Sequence, residues 1–466
     1  MGNRKQTLHI MDLRLIPALL ALLLTLGPAQ AQPTLQGCVE TLSECLLKDA
    51  RRTADEVSRP RQRDEILFAI AVALARMDRI DQSVETARQI ANPRTVAEAM
   101  GEIAKSGARA GAVEQAQVIA LEIADARIGS SRIAALETVA VQQAAAGDID
   151  AAFDTVLAID NPYRRSEAEA AIAISVARSG DIRGAILAAS RIATNYWFTS
   201  QQHQFKIASG LVSRSEEFDH FWFYEALATI AQIQAEAGDH AGALATAASI
   251  PDVGGRSRAI SRIAAFEARQ GRIDKALAIA SRIEAPYGDL DAMVAIAESR
   301  AATGEIDAAL GIARDLARHY GDTSAFAAVA QQQVLLGQPE AGLATVAEID
   351  TRENRIDAIA AIAEALVRNQ RPDEALAIVA RSPEARSRLD IRYRIAELLA
   401  TAGEVESALD LASDLTDPRD RDEIVVAIVL AQAGTGDTKG AIATAQMLDD
   451  DMYRAIALAG IAPFLR

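Results

Sequence analysis

The sequence predicts an all-α fold, an α-solenoid of stacked antiparallel helical hairpins. Three observations predict it. A phrase of 33 residues returns along the chain, seen cleanly from Gly271 to Thr303. Each copy carries two apolar stripes at helical spacing, and a turn-forming residue separates them. Asp78, Gly111, Gly147, Gly180, Gly238, Gly271, Gly304, Gly337, Gln370, Gly403 and Gly436 mark the turns. Successive marks lie 33 residues apart except for steps of 36 after Gly111 and 58 after Gly180. This gives about eleven regular repeats plus one degenerate repeat. One such unit cannot bury its apolar face alone, so neighbours must stack.

Five residues after each turn the side chain is small, as at Ser83, Ala116, Ala243, Ala276 and Gly342. The next position is usually larger and apolar, as at Leu244, Leu277 and Leu310, and the stripe continues through Ala280 and Ile283. These offsets describe one face of a helix of about three turns. Pro162, Pro251, Pro286, Pro383 and Pro418 are expected to stop it. A second helix leads into the next turn with Ile-Ala or a variant, as in Ile70-Ala71, Ile263-Ala264 and Ile395-Ala396. Small residues at fixed places let the two helices approach closely, where dispersion accumulates.

The Gly-x-x-x-x-Ala turn and closing Pro, as in Gly238, Ala243 and Pro251, resemble the tetratricopeptide repeat family over roughly residues 61–451. The chain departs from that pattern where Ala231 and Ala264 stand for a Gly and Ala247 and Ala280 for a Phe, and its unit is one residue shorter. The resemblance implies a protein-binding scaffold. The family's Lys/Asn clamp for a partner's terminal carboxylate is missing, because Ala265, Glu298, Gln331 and Glu364 occupy the matching positions.

The ends and the middle break the repeat. Residues 1–31 read as a secretory signal peptide: Arg4, Lys5 and Arg14 precede an apolar run from Leu15 to Leu26, and Ala29 and Ala31 suit cleavage. Met1 and Met11 both serve as candidate starts, and a lipoprotein reading would use Cys38. Export to a periplasm or beyond is therefore expected, and no later segment is apolar enough to span a membrane. Without residues 1–31 the chain holds 45 Lys and Arg against 63 Asp and Glu, a net charge of −18. Such a surface repels phosphate backbones, which argues against nucleic acid as a partner.

Residues 32–60 are expected to cap the N-terminal end, with a helix from about Leu42 to Val57. Cys38 and Cys45 are the only cysteines. Seven residues along one helix put them about 10 Å apart, too far for a bridge. A turn over 37–43 would bring them together as a disulfide; two free thiols are the alternative. Repeats are expected over 61–195 and 225–451, and a C-terminal capping helix over 452–466. That last helix has no partner unit after it, so Tyr453 and Phe464 are expected to cover the open end.

Residues 196–224 form the degenerate repeat, with a turn near Ser215 and about ten residues missing from the helix that follows. They hold nine of the chain's nineteen aromatics: Tyr196, Trp197, Phe198, Phe205, Phe218, Phe221, Trp222, Phe223 and Tyr224. That concentration, with His203 and His220, makes this the candidate partner-binding segment. Either the rings plug the gap left by a shortened helix, or they form a platform for a peptide, a glycan strand or another protein. An acid also recurs thirteen residues before the turn, at Glu65, Glu98, Glu167, Glu225, Asp291, Asp357, Asp390 and Glu423. It is expected in the first turn of its helix, favoured by the macrodipole and neutralised by Arg63, Arg355, Arg388 and Arg421.

No nucleophile elbow, phosphate loop or metal-ligand spacing occurs, so no catalytic residue, metal or cofactor is expected. The expected role is non-catalytic protein–protein interaction or scaffolding in the cell envelope. The alternative is an accessory or glycan-binding component of an envelope polymer-processing enzyme.

Overall fold

All eleven turn residues singled out in the sequence adopt positive φ, from 59° at Gln370 to 95° at Gly180. In the computed structural model, which describes residues 41–123, 130–199, 221–284, 289–382 and 388–465, each ends one helix and launches the next. Residues 193–199 are described as helix backbone only. The turn is a Schellman motif: Ala112 N–H donates to Gly107 O at 2.9 Å, and Asp239 N–H to Gln234 O at 2.8 Å. Nine of the turns carry Gly, which enters the left-handed region without a Cβ penalty.

Among the described residues there are twenty-four α-helices and no strand. The first hairpin is α2 (Pro60–Arg76) with α3 (Ile80–Ala87). It is followed by α4 (Pro93–Ala110) with α5 (Val113–Glu122), α6 (Ser130–Ala145) with α7 (Ile149–Val156), and α8 (Pro162–Arg178) with α9 (Ile182–Thr199). Next come α10 (Phe221–Glu236) with α11 (His240–Ala248), α12 (Val253–Arg269) with α13 (Ile273–Ala280), and α14 (Leu290–Ala302) with α15 (Ile306–Tyr320). The run continues with α16 (Ser324–Leu335) and α17 (Pro339–Ala347), then α18 (Arg352–Arg368) and α19 (Pro372–Ala380). It ends with α20 (Leu389–Thr401) and α21 (Val405–Ser413), then α22 (Pro418–Gly434) and α23 (Thr438–Ala445).

The small residue after the turn faces the preceding helix. Ser83 Oγ donates to Ala71 O at 2.6 Å. At the matching Gly342 a Cβ would stand 2.5 Å from Val334 Cγ2 and 2.8 Å from Ala330 O. The hairpin therefore closes on the small residue of the Ile-Ala pair. Prolines behave differently from expectation. Pro162 and Pro418 do not stop the outer helices but open α8 and α22 at the first position, beside capping Asn161 and Asp417. A missing N–H costs nothing there. Pro286 and Pro383 lie outside the described residues.

Even-numbered helices pack directly on one another, whereas odd-numbered ones scarcely touch. The even series therefore occupies the inner circumference. The outer helices are joined mainly by long side chains, such as Arg88–Glu122 at 3.1 Å, Arg314–Glu348 at 3.0 Å and Arg381–Glu340 at 2.7 Å. Exposed pairs of this kind contribute little each, about 0–1 kcal/mol.

The two expected caps are corrected by the packing. Helix α24 (Asp451–Ile461) lies against α22 on one side and α2 on the other, and α1 (Leu42–Glu56) packs onto α24 as an outer helix packs onto its inner partner. The two ends of the chain thus build a twelfth hairpin, and the solenoid is a closed ring. Twelve units in a full circle rotate by roughly 30° each. Leu46, fully buried, joins Ala457, Leu458 and Ile461, while Leu47, Ala50 and Ala54 join Met452, Ala455 and Ala459. The apolar faces that separate caps would have had to cover are buried against each other. Cys45 is buried in α1 and disulfide-bonded; Cys38 and residues 1–31 lie outside the described residues.

Candidate interaction surface

The inner face carries the sequence's recurring acids, of which Asp291 and Asp390 stand in the first turn as expected and the others do not. Glu65, Glu98, Glu167, Asp357 and Glu423 stand beyond the first turn of helices that begin at Pro60, Pro93, Pro162, Arg352 and Pro418. The macrodipole is weak at that depth. Their partners are mostly other arginines: Arg61 on Glu65, Arg94 on Glu98 and Arg164 on Glu167. Only Arg388 acts as expected, on Asp390 at 2.8 Å.

Arg355 instead donates to Ile349 O at 2.8 Å and Asp350 O at 3.0 Å. Arg421 pairs with Asp422, and among the described residues the buried Arg63 Nε has no hydrogen-bond partner. Arg165, Arg256 and Arg454 repeat the backbone contact on Ile159, Ile250 and Leu448. This arginine closes the end of the outer helix by satisfying a carbonyl the helix leaves open. Its recurrence was legible, but its target was not.

The aromatic segment is described in part. His203, Phe205, Phe218 and His220 lie outside the described residues, and Tyr196, Trp197 and Phe198 are described as backbone only. Phe221, Trp222, Phe223 and Tyr224 begin α10 and are all half-buried. Helices α8 and α10 are direct neighbours, so Tyr163, which sequence reasoning missed, meets Trp222 edge-on with centroids 5.5 Å apart. Phe221 meets the other side of Trp222 at 5.2 Å, and the Arg258 guanidinium lies 5.5 Å from the Phe221 ring. Tyr163 remains 48% exposed, and among the described residues the buried Trp222 Nε1 has no hydrogen-bond partner. Burial, with Asp252 nearby, pushes the Tyr224 phenol upward.

Beside this cluster Glu225 is held between Arg258 and Arg262, the latter at 2.5 Å, and Arg262 also donates to Thr229 Oγ1 at 2.8 Å. The patch therefore presents aromatic rings beside arginines already engaged by Glu225. It suits an amphipathic contact better than a charged one.

Three buried threonines inside the stack are each matched to a glutamine of the neighbouring helix. Thr155, Thr246 and Thr345 hydroxyls donate to Gln143, Gln234 and Gln333 at 2.7, 2.6 and 2.7 Å. Glu267 takes the place of that Gln in α12. It is fully buried, and His240 and Lys275 approach it at 2.8 and 2.9 Å alongside Arg272. Burial works against its charge, yet Arg272 and Lys275 together hold its carboxyl below the usual range. Lys275, a plain surface residue by its place in the repeat, is thus engaged. Among the described residues no group of three or more His, Cys, Asp or Glu side chains could hold a metal ion, and no helix is long and apolar enough to cross a membrane.

No protein-family model and no curated protein matches the chain. Among solved structures it is similar to Ton1535 from Thermococcus onnurineus NA1, at 14% identity and TM-score 0.24, over 82% of this chain and 94% of that one. It is also similar to the APC/C hetero-tetramer Cut9–Hcn1, at 13% identity and TM-score 0.26, over 88% and 81%. A circular tandem repeat protein with novel repeat topology and enhanced subunit contact surfaces matches at 14% and 0.19, over 90% of each chain. The fold stands on the chain's own geometry, which is a tetratricopeptide-like array of helical hairpins.

Proposed function

We propose that the chain is a non-catalytic interaction scaffold of the cell envelope, exported by residues 1–31 and cleaved near Ala31. The observation that carries this reading is the aromatic patch on the inner face, where Tyr163 is left exposed beside the half-buried rings of Trp222 and Phe221. Its partner is a protein segment able to lay an apolar face on the rings. Enrichment in aromatic anchors is a property of such contacts. A glycan strand also stacks on aromatic rings, and the same patch supports the second reading, an accessory of a polymer-processing enzyme.

Affinity capture from envelope extract, run in parallel with Tyr163→Ala, tests both. Discrete proteins lost with Tyr163→Ala support the scaffold. Enrichment of glycan strands would favour the accessory reading, and identical capture by the variant would dissociate either function from this patch.

A further inference from the structure

The ring closes where the chain's two ends meet, and the closing hairpin is not a copy of the others. Helix α24 runs only from Asp451 to Ile461 before a 3-10 turn over Ala462–Phe464 with Pro463, whereas its neighbour α22 spans Pro418–Gly434. The inner wall is therefore short by about a turn. At Gly460 the missing side chain lets Leu430 lie across the helix, for a Cβ there would stand 2.3 Å from Leu430 Cδ2.

The result is a cavity of about 760 Å³ on the inner face between α22, α24, α2 and α4. It follows α2 from Arg61 to Arg76, a span of about 22 Å at the helical rise. Phe68, Val72, Leu430 and Ile456 form its middle. Its volume is in the range of small-molecule sites.

The two ends of this trough differ. At one end Arg61 pairs with Glu65 and Arg94 with Glu98, at 3.1 and 3.0 Å, so those charges need no ligand. The buried Asp64 is also engaged, accepting from the Ala91 and Asn92 N–H groups at 2.9 Å each. At the other end Arg76 is exposed, and among the described residues no carboxylate pairs with it.

We propose that this trough binds a single-chain anionic amphiphile, a long-chain carboxylate, with its head at Arg76 and its alkyl chain along Phe68, Val72 and Ile456. An extended peptide fits the length but not the lining. The flanking helices use their own backbone groups internally, so peptide N–H and C=O groups would leave water without new partners. An alkyl chain has none to satisfy. The head-to-guanidinium contact is a charge-assisted hydrogen bond, which gives the site its sign preference.

The test is calorimetric titration of delipidated, full-length exported protein with dodecanoate below its micellar range, against dodecyltrimethylammonium as the cationic probe. Dodecanoate should bind with one site per chain and the cation at least about tenfold more weakly. Arg76→Glu, an exposed change that leaves the stack intact, should weaken dodecanoate by about tenfold or more with an unchanged melting curve. Ala69→Trp, which fills the floor, should remove binding. No heat with dodecanoate, equal binding of both probes, or equal binding to the wild type and Arg76→Glu would each overturn the proposal. Since Arg76→Glu does not touch the core, its binding remains decisive even if Ala69→Trp fails to fold.

Discussion

Two regions interrupt the ring, and they are built in opposite ways. Between α8 and α10 the chain is continuous but irregular, with 58 residues from turn to turn where 33 would serve and nine of the nineteen aromatics among them. At the seam the hairpin is regular in form but broken in sequence, since α24 and α1 come from opposite ends of the chain. The first anomaly is visible in composition and leaves the neighbouring inner helices in contact. The second leaves no mark in composition and decides the global shape. Irregular sequence and critical geometry are therefore separate properties in this ring.

The largest expected effect tests the seam. Leu46 is fully buried between the two ends of the chain, and Leu46→Ala should cost about 3–4 kcal/mol, the transfer loss plus an unfilled cavity. Because no connecting loop joins α1 to α24 in this hairpin, hydrogen exchange should rise in α1, α24 and α2 while α12 and α13 stay protected. Uniform loosening around the ring would mean that the seam is no weaker than an ordinary hairpin.

A regular hairpin supplies the reference. Ala276 is fully buried against α12 and α14, so Ala276→Leu should cost about 2–3 kcal/mol by overpacking. Arg282→Leu, at an exposed position, is the control and should stay within about 0.5 kcal/mol. Lys275 is unsuitable for that purpose because it pairs with buried Glu267 at 2.9 Å. Equal melting curves for the two variants would place the small residue on the wrong face.

Much of this architecture was legible because its rules are local. Positive φ demands Gly at most turns, and close helix contact demands Ala, Ser or Gly five residues later; both leave a period in the chain. The closure was not legible, because it depends on small rotations summed over twelve units and on contacts between residues some 400 apart. Tyr163 was missed for a related reason: it sits in a regular repeat, and only the adjacency of α8 and α10 makes it part of the aromatic patch. Arg355 shows the limit within a single unit. Its place near Asp357 suggested a charge partner, whereas its side chain reaches the carbonyls of Ile349 and Asp350.

The aromatic region should respond more mildly than the seam. Trp222 is half-buried between Tyr163 and Phe221, so Trp222→Ala should cost about 2 kcal/mol, below the ~3–5 kcal/mol of a fully enclosed ring. Acrylamide quenching of the two tryptophans, compared with the variant that retains only Trp197, isolates the accessibility of Trp222. Complete shielding together with a cost above about 4 kcal/mol would make this region a structural plug and remove the contrast with the seam.

The smallest effect returns to the seam and is read through pH. Tyr453 on α24 donates from its hydroxyl to Glu423 Oε1 on α22 at 3.3 Å. Burial first, and then the charge of Glu423, push its phenol up to about 12. An unfolded tyrosine ionises near 10. With the folded value above the unfolded one, the contribution is whole below about pH 10 and is lost as pH rises from there through about 12. Absorbance at 295 nm should show a late component near pH 12, and Tyr453→Phe should remove it, leaving the raised phenols of Tyr224 and Tyr393 in place. The variant should cost only about 0.5 kcal/mol at neutral pH, since the hydrogen bond is long and partly open to water. Above pH 10 its stability should fall less steeply than that of the wild type. If both chains lose stability in parallel across this window, Tyr453 ionisation does not strain the seam, and closure there rests on the apolar contacts of Leu46 and its neighbours alone.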